Sequence, residues 1–179
     1  GISSALLANR IYAETMSLLE RNTRPGDLLR QLNAFVLQQI HMSGFYFTMA
    51  AARLDDKGHR LSFAAGGHPP AMWFSSSGEC RLLDVRSAIL GELDNAVAPE
   101  PAVELDFQRG DRLVLYTDGL TDVFDRRGEI LGVAGLQEIV RRAAKKPLPE
   151  MKQSILDEVS AFGPGPHTDD VSLVLVEMH

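Results

Sequence analysis

Gly110-Asp111-Arg112-Leu113-Val114-Leu115-Tyr116-Thr117-Asp118-Gly119-Leu120-Thr121-Asp122 is the stretch whose reading decides the fold. Leu113 to Tyr116 is an unbroken apolar run. A strand covered on both faces needs that pattern, whereas a half-wet strand alternates. Asp118-Gly119 closes it as a turn. A second run of the same kind, Val171-Ser172-Leu173-Val174-Leu175-Val176, follows His167-Thr168-Asp169-Asp170. Both runs read as central strands, and each has carboxylates at one tip. If the two are antiparallel neighbours, the end of one meets the start of the other. Asp118 then lies beside Asp169 and Asp170, and Asp122 returns to the same side if Gly119 to Phe124 makes a helical turn.

Outward from this pair the period changes. Toward the N-terminus, Phe45 to Leu54 and Arg60 to Ala65 read as strands around the turn Asp55-Asp56-Lys57-Gly58. Ala71 to Phe74 and Cys80 to Leu83 flank Ser75-Ser76-Ser77-Gly78 as a second hairpin. Residues 86–100 read as an irregular loop. Val103, Leu105 and Phe107 alternate with Glu104 and Asp106, so one strand face there is wet. Two helices are expected over 2–21 and 25–41. Leu7, Ile11 and Leu18 share a face of the first. Leu28, Leu32, Phe35, Val36 and Ile40 share a face of the second, with Pro25 and Asp27 in its first turn. Two more are marked by Val133, Leu136, Ile139 and Val140, and by Met151, Ile155, Leu156 and Val159. The sum is an α+β chain, with antiparallel strands in the middle and helix pairs at each end of the sequence.

Composition narrows the function classes. The 179 residues fit one domain. Hydrophobic residues make up 45% and charged residues 23%, which argues against a disordered chain. No run approaches the roughly 18 apolar residues of a membrane helix, and the start lacks the basic lead of a signal peptide. A formal charge of −6 suits a nucleic-acid backbone poorly. Arg141, Arg142, Lys145 and Lys146 fit the last turn of a helix better than a binding stripe. The lone Cys80 makes neither a disulfide nor a Cys-x-x-Cys zinc site. A reducing, cytoplasmic setting is expected. Walker-type and Gly-x-Ser-x-Gly motifs are absent.

Crowded carboxylates repel unless protonated or bridged by cations. Hard divalent ions, Mg²⁺ or Mn²⁺, prefer such all-oxygen sites. The plain alternative is a turn at Asp118-Gly119 and a strand-end cap at Asp169 or Asp170. His68 in Gly67-His68-Pro69-Pro70 reads as a turn residue or a general acid, with the preceding glycines there for positive φ or close packing. His167 reads as a loop residue or a group touching substrate. His41 and His59 read as a helix end and a hairpin residue, and Trp73 as core or sheet surface.

The stretch 110–122 resembles the signature of bacterial metal-dependent Ser/Thr protein phosphatases of the SpoIIE/RsbU type, within the type 2C (PPM) superfamily. Three further segments agree in order. They are Phe47-Thr48-Met49-Ala50 leading into Ala65-Gly66-Gly67-His68-Pro69-Pro70, then Gly128-Glu129-Ile130-Leu131-Gly132, then Thr168-Asp169-Asp170-Val171-Ser172-Leu173-Val174. The resemblance covers essentially the whole chain. It implies a four-layer α-β-β-α sandwich of two antiparallel sheets flanked by helix pairs. It also implies a two-metal centre, Mn²⁺ or Mg²⁺, acting on phosphoserine or phosphothreonine. Asp118 and Asp169 would be the direct metal ligands and catalytic residues. Asp122, Asp170 and Gly119 would complete the metal site, and His167 would touch substrate.

The family's first metal aspartate lies in Asp-x-x-Gly-His-Gly. Gly1 reads as the last glycine of that motif, so the sheet is expected to lack its first strand or strands. The resemblance further implies an anti-sigma-factor antagonist as phosphorylated substrate and a sensor or receiver domain upstream in the same chain. Residues 1–179 would then be one phosphatase domain at the C-terminal part of a larger regulatory protein. The first two helices are expected to carry a regulatory signal and to support a homodimer. The rival expectation is a pseudo-phosphatase that binds a regulatory partner without hydrolysis.

Overall fold

The first helix pair forms where the apolar spacing places it. The computed structural model describes residues 2–39, 45–85, 87–94, 103–165 and 169–179. Helix α1 spans Ile2–Glu20 and α2 spans Pro25–Gln39. Strand β1 is Met49–Asp55, β2 Arg60–Gly66, β3 Ala71–Phe74, β4 Cys80–Leu83, β5 Val103–Asp106 and β6 Arg112–Tyr116. Helix α3, Gly132–Ala143, and α4, Leu148–Phe162, precede β7, Leu173–Glu177. Among the described residues there are therefore four α-helices and two antiparallel sheets, ordered β1-β2-β5 and β4-β3-β6-β7. It divides into two compact units, 1–68 with 85–106 and 69–84 with 107–179.

In the first unit the helices cover one face of the β1–β2 hairpin. Leu18, Leu28 and Leu32 pack with Met49 and Ala51 of β1, and Leu29 packs with Ala64 of β2. Ala51 pairs with Ala64. Small side chains at that register let α2 lie close to the sheet. Leu7 and Val36 join the two helices, with Phe45 and Phe47 against them. Phe45 to Thr48, expected as the start of a strand, is not one. Phe47 makes a single antiparallel bridge to Leu90, and its ring fills the space under the helices. An apolar run reads alike in either role. Buried Asn33 of α2 fixes the loop after β4. Its amide nitrogen donates to the Leu93 carbonyl at 2.9 Å, and its oxygen accepts from Gly91 N–H at 2.7 Å. Gly67 has φ +60°, and a Cβ there would meet Ile89 at 2.6 Å, so both expected reasons for glycine hold at that position.

In the second unit α3 and α4 cover one sheet face. Met72 and Phe74 of β3 and Val114 and Tyr116 of β6 meet Leu136, Ile139, Val140, Met151, Ile155 and Val159. Leu113 and Val114 point to opposite faces, and both are fully buried, so β6 is covered on both faces as expected. The same expectation fails for β7. Among the described residues that strand pairs with β6 alone, at the end of the sheet, and Val174 is 51% exposed. Its apolar run belongs to an edge.

Asp111 is buried at the start of β6. Its carboxylate accepts from Ser76 N–H at 2.8 Å, Gln108 N–H at 2.9 Å and Trp73 Nε1–H at 3.2 Å. Arg112 pairs with Glu177 across β6–β7 at 2.5 Å, and its other nitrogen donates to the carbonyls of Ala144 and Lys146 beyond α3. Arg141 and Arg142 occupy the last turn of α3, whereas Lys145 and Lys146 lie beyond its end at Ala143. Cys80 opens β4, and its sulfur accepts from Gln137 Nε2 at 3.1 Å. The expected positions His41 and Ile40 lie outside the described residues, as do residues 86 and 95–100 of the expected loop.

Candidate functional site

Antiparallel pairing of β6 with β7, Tyr116 opposite Leu173, brings the carboxylate-bearing tips together. Thr117 fastens them. Its N–H donates to the Ser172 carbonyl at 3.1 Å, its hydroxyl accepts from Ser172 N–H at 2.8 Å, and the hydroxyl donates to the Asp170 carbonyl at 2.8 Å. One side chain thus continues the ladder one step past the last paired residues.

The chain then turns into a 3-10 helix, Asp118–Leu120. The Asp118 carbonyl accepts from Thr121 N–H and Asp122 N–H, both at 2.7 Å, which folds Asp122 back toward Asp118. Buried Leu120, Thr121 and Val123 anchor this turn to the core, while the Asp118 and Asp122 side chains stay exposed. Gly119 faces the second tip. A Cβ built there would lie 2.6 Å from the Asp170 carbonyl oxygen and 3.1 Å from that of Asp169. Contact that close between the tips requires glycine.

The four expected aspartates thus sit on adjacent backbone segments, and all four side chains are exposed. The Asp169 carboxylate accepts from Asp170 N–H at 2.7 Å, and that of Asp122 accepts from the Thr121 hydroxyl at 3.2 Å. The carboxylates of Asp118 and Asp170 have no hydrogen-bond or ion-pair partner among the described residues. The donors available here are all oxygen, which fits a hard divalent cation. Among the described residues, no three acidic, His or Cys side chains are gathered closely enough to hold a metal by themselves. His167 lies outside the described residues. His68 is half-buried just after β2, in the first unit. His59 is a hairpin residue with φ +49°.

Sequence reasoning missed Thr117 and Asp111. A threonine at the last strand position opposite a serine, and an aspartate directly before an apolar run, were the signals that could have found them.

The whole chain, residues 1–179, matches the family model described as stage II sporulation protein E (SpoIIE). It is 26% identical over 177 residues to the phosphoserine phosphatase RsbU of Bacillus subtilis (strain 168), covering 98% of this chain and 52% of that protein. It is 24% identical over 182 residues to the phosphoserine phosphatase RsbP of the same organism, covering 99% of this chain and 43% of that protein. The chain therefore spans about half the length of these curated relatives. Among solved structures, the SiaA-PP2C domain of Pseudomonas aeruginosa superposes with a TM-score of 0.83 at 20% identity. That match covers 100% of this chain and 72% of that one, so the folds are alike. With paired sheet tips carrying Asp118 and Asp169, and a family match running from end to end, the chain belongs to the SpoIIE family.

Proposed function

We propose that this chain is the catalytic domain of a metal-dependent protein serine/threonine phosphatase. The observation that carries the reading is the junction of the two tips, where Thr117 and Gly119 hold the Asp118 segment against Asp169 and Asp170. The names of the two Bacillus relatives support the reaction class. In this reading Asp118 and Asp169 hold Mn²⁺ or Mg²⁺ directly, with Gly119, Asp122 and Asp170 completing the site. When bound, divalent cations supply Lewis-acid polarisation of a phosphoryl oxygen and lower the pKa of a nearby water. The chain's own part is positional. The β6–β7 ladder fixes the two carboxylates relative to each other, the 3-10 turn aims Asp122 the same way, and His167 touches the substrate.

The substrate we infer is a phosphoserine or phosphothreonine protein of the anti-sigma-factor antagonist type. The pathway is a partner-switching one, in the cytoplasm, with neither nucleic acid nor membrane as partner. Residues 1–179 act as one domain of a longer regulatory protein with a sensor or receiver domain upstream, and α1 and α2 pass the signal and support a homodimer. The share of RsbU and RsbP that the chain spans supports a longer protein. Among the described residues no helix is long and apolar enough to cross a membrane. A second reading is a binding module without hydrolysis. It draws on the exposed aspartates that, among the described residues, do not form a ready three-ligand group.

The deciding experiment uses residues 1–179 within the full-length protein. Mn²⁺-dependent phosphate release from a phosphoserine protein is measured with Asp118→Asn beside it. Loss of about two or more orders of magnitude in the variant is expected. Absence of release by the folded, metal-loaded protein from a physiological substrate decides for the binding module.

A further inference from the structure

We propose that the second unit holds a separate site for a phosphate-type oxyanion, at the opposite end of β6 from Asp118. A cavity of about 520 Å³ lies there, within the size range of small-ligand sites. The Ser75-Ser76-Ser77-Gly78 turn between β3 and β4 lines it, together with Arg112, Arg141, Lys145 and Glu177. Asp118 lies six positions along extended chain from Arg112, about 20 Å at roughly 3.3 Å per residue. The two sites do not share residues.

The charges of the lining do not cancel. Glu177 is spent on Arg112, and that guanidinium also occupies the carbonyls beyond the end of α3. The negative pole of the helix is therefore neutralised at the cavity wall. Arg141 pairs with Glu138 at 2.6 Å, but both side chains are half exposed, so the pair is weak and exchanges readily. Lys145 has no hydrogen-bond or ion-pair partner among the described residues. Two cations thus remain for a ligand.

The serine turn adds short donors. Three of its four backbone N–H groups are committed, with Ser75 N–H bonded to Glu79, Ser76 N–H to Asp111 and Gly78 N–H to Ser75. The Ser75 and Ser77 hydroxyls bond each other at 2.8 Å, and the Ser76 hydroxyl has no partner among the described residues. Buried Asp111 holds this turn by its backbone, so the hydroxyls are carried on a fixed frame. Ammonium, guanidinium and hydroxyl donors around one small space suit a tetrahedral oxyanion. That anion comes either from a free phosphate compound or from a phosphorylated side chain of another protein.

The test is a titration of the metal-free chain with inorganic phosphate, against chloride at equal ionic strength, read by amide resonances. We expect saturable shifts at Ser76, Ser77, Gly78 and Lys145 at about millimolar phosphate, and at least tenfold weaker binding in Lys145→Glu. Lys145 is exposed, so the variant should keep its thermal midpoint. A phosphoserine peptide then separates the sources. Affinity equal to that of phosphate assigns the site to free phosphate compounds, and tighter binding assigns it to a phosphorylated protein segment. Shifts that chloride reproduces, shifts confined to residues 117–122, or binding unchanged in Lys145→Glu would overturn the proposal.

Discussion

Gly119 lies where the two tips of the candidate site meet, and its replacement is the sharpest test at the scale of one residue. The atom a Cβ would strike is a main-chain oxygen of the opposite tip, which no rotamer change removes. Gly119→Ala should cost about 1–3 kcal/mol in urea unfolding and separate the two tips. Tyr116 behaves in the opposite sense. Its hydroxyl is buried without a hydrogen-bond partner among the described residues, and burial raises its pKa well above the usual value. Tyr116→Phe should therefore be neutral or stabilising by up to about 1 kcal/mol. The sign of the pH effect follows. The unfolded chain releases the phenol proton near pH 10 while the folded chain keeps it, so this residue's share of stability is intact below about pH 10 and falls above it. Thermal midpoints from pH 8 to about pH 11 should fall less steeply in Tyr116→Phe than in the parent. Asp111→Ala should cost about 2–3 kcal/mol, since two main-chain N–H groups and the Trp73 indole lose their acceptor.

At the scale of elements, the β6–β7 ladder brings together the backbone tips that carry the aspartates. Thr117→Val keeps the shape and removes both hydroxyl bonds. It should cost about 1–2 kcal/mol and speed exchange of the Ser172 amide, while the amides of α3 keep their protection. The sequence made this ladder legible because two unbroken apolar runs each ended in aspartates. Adjacency and direction followed from one assumption, and Tyr116 opposite Leu173 bears it out. The turn after Asp118 was legible from its spacing. What periodicity could not separate was an apolar segment that pairs from one that fills. Phe45 to Thr48 plugs the helix layer of the first unit, and the exposed Val174 belongs to an edge strand. The helix starts were plainer, because Pro25 and Asp27 act within a single turn of the chain. Arg112, which joins two strands and a helix end, could not be read from local pattern, since its partners lie 32 to 65 residues away.

For the whole molecule, the order of segments matters more than any one contact. The chain passes between its two units three times, after residues 68, 84 and 106. The hairpin of β3 and β4 is cut out of the first unit's stretch of sequence and built into the second unit's sheet. A fragment of residues 107–179 keeps β6, β7 and both later helices but leaves β6 without β3. We expect that fragment to show no cooperative thermal transition by circular dichroism and collapsed amide dispersion, whereas supplying residues 69–84 in the same polypeptide should restore both. Vectorial synthesis gives the β6–β7 pairing a further meaning. Asp118 leaves the ribosome some fifty residues ahead of Asp169, and the strand that holds the second tip in place comes later still. A nascent chain stalled anywhere in between carries one half of the carboxylate set and nothing to close it. The assembled tips therefore form only after translation has run through β7.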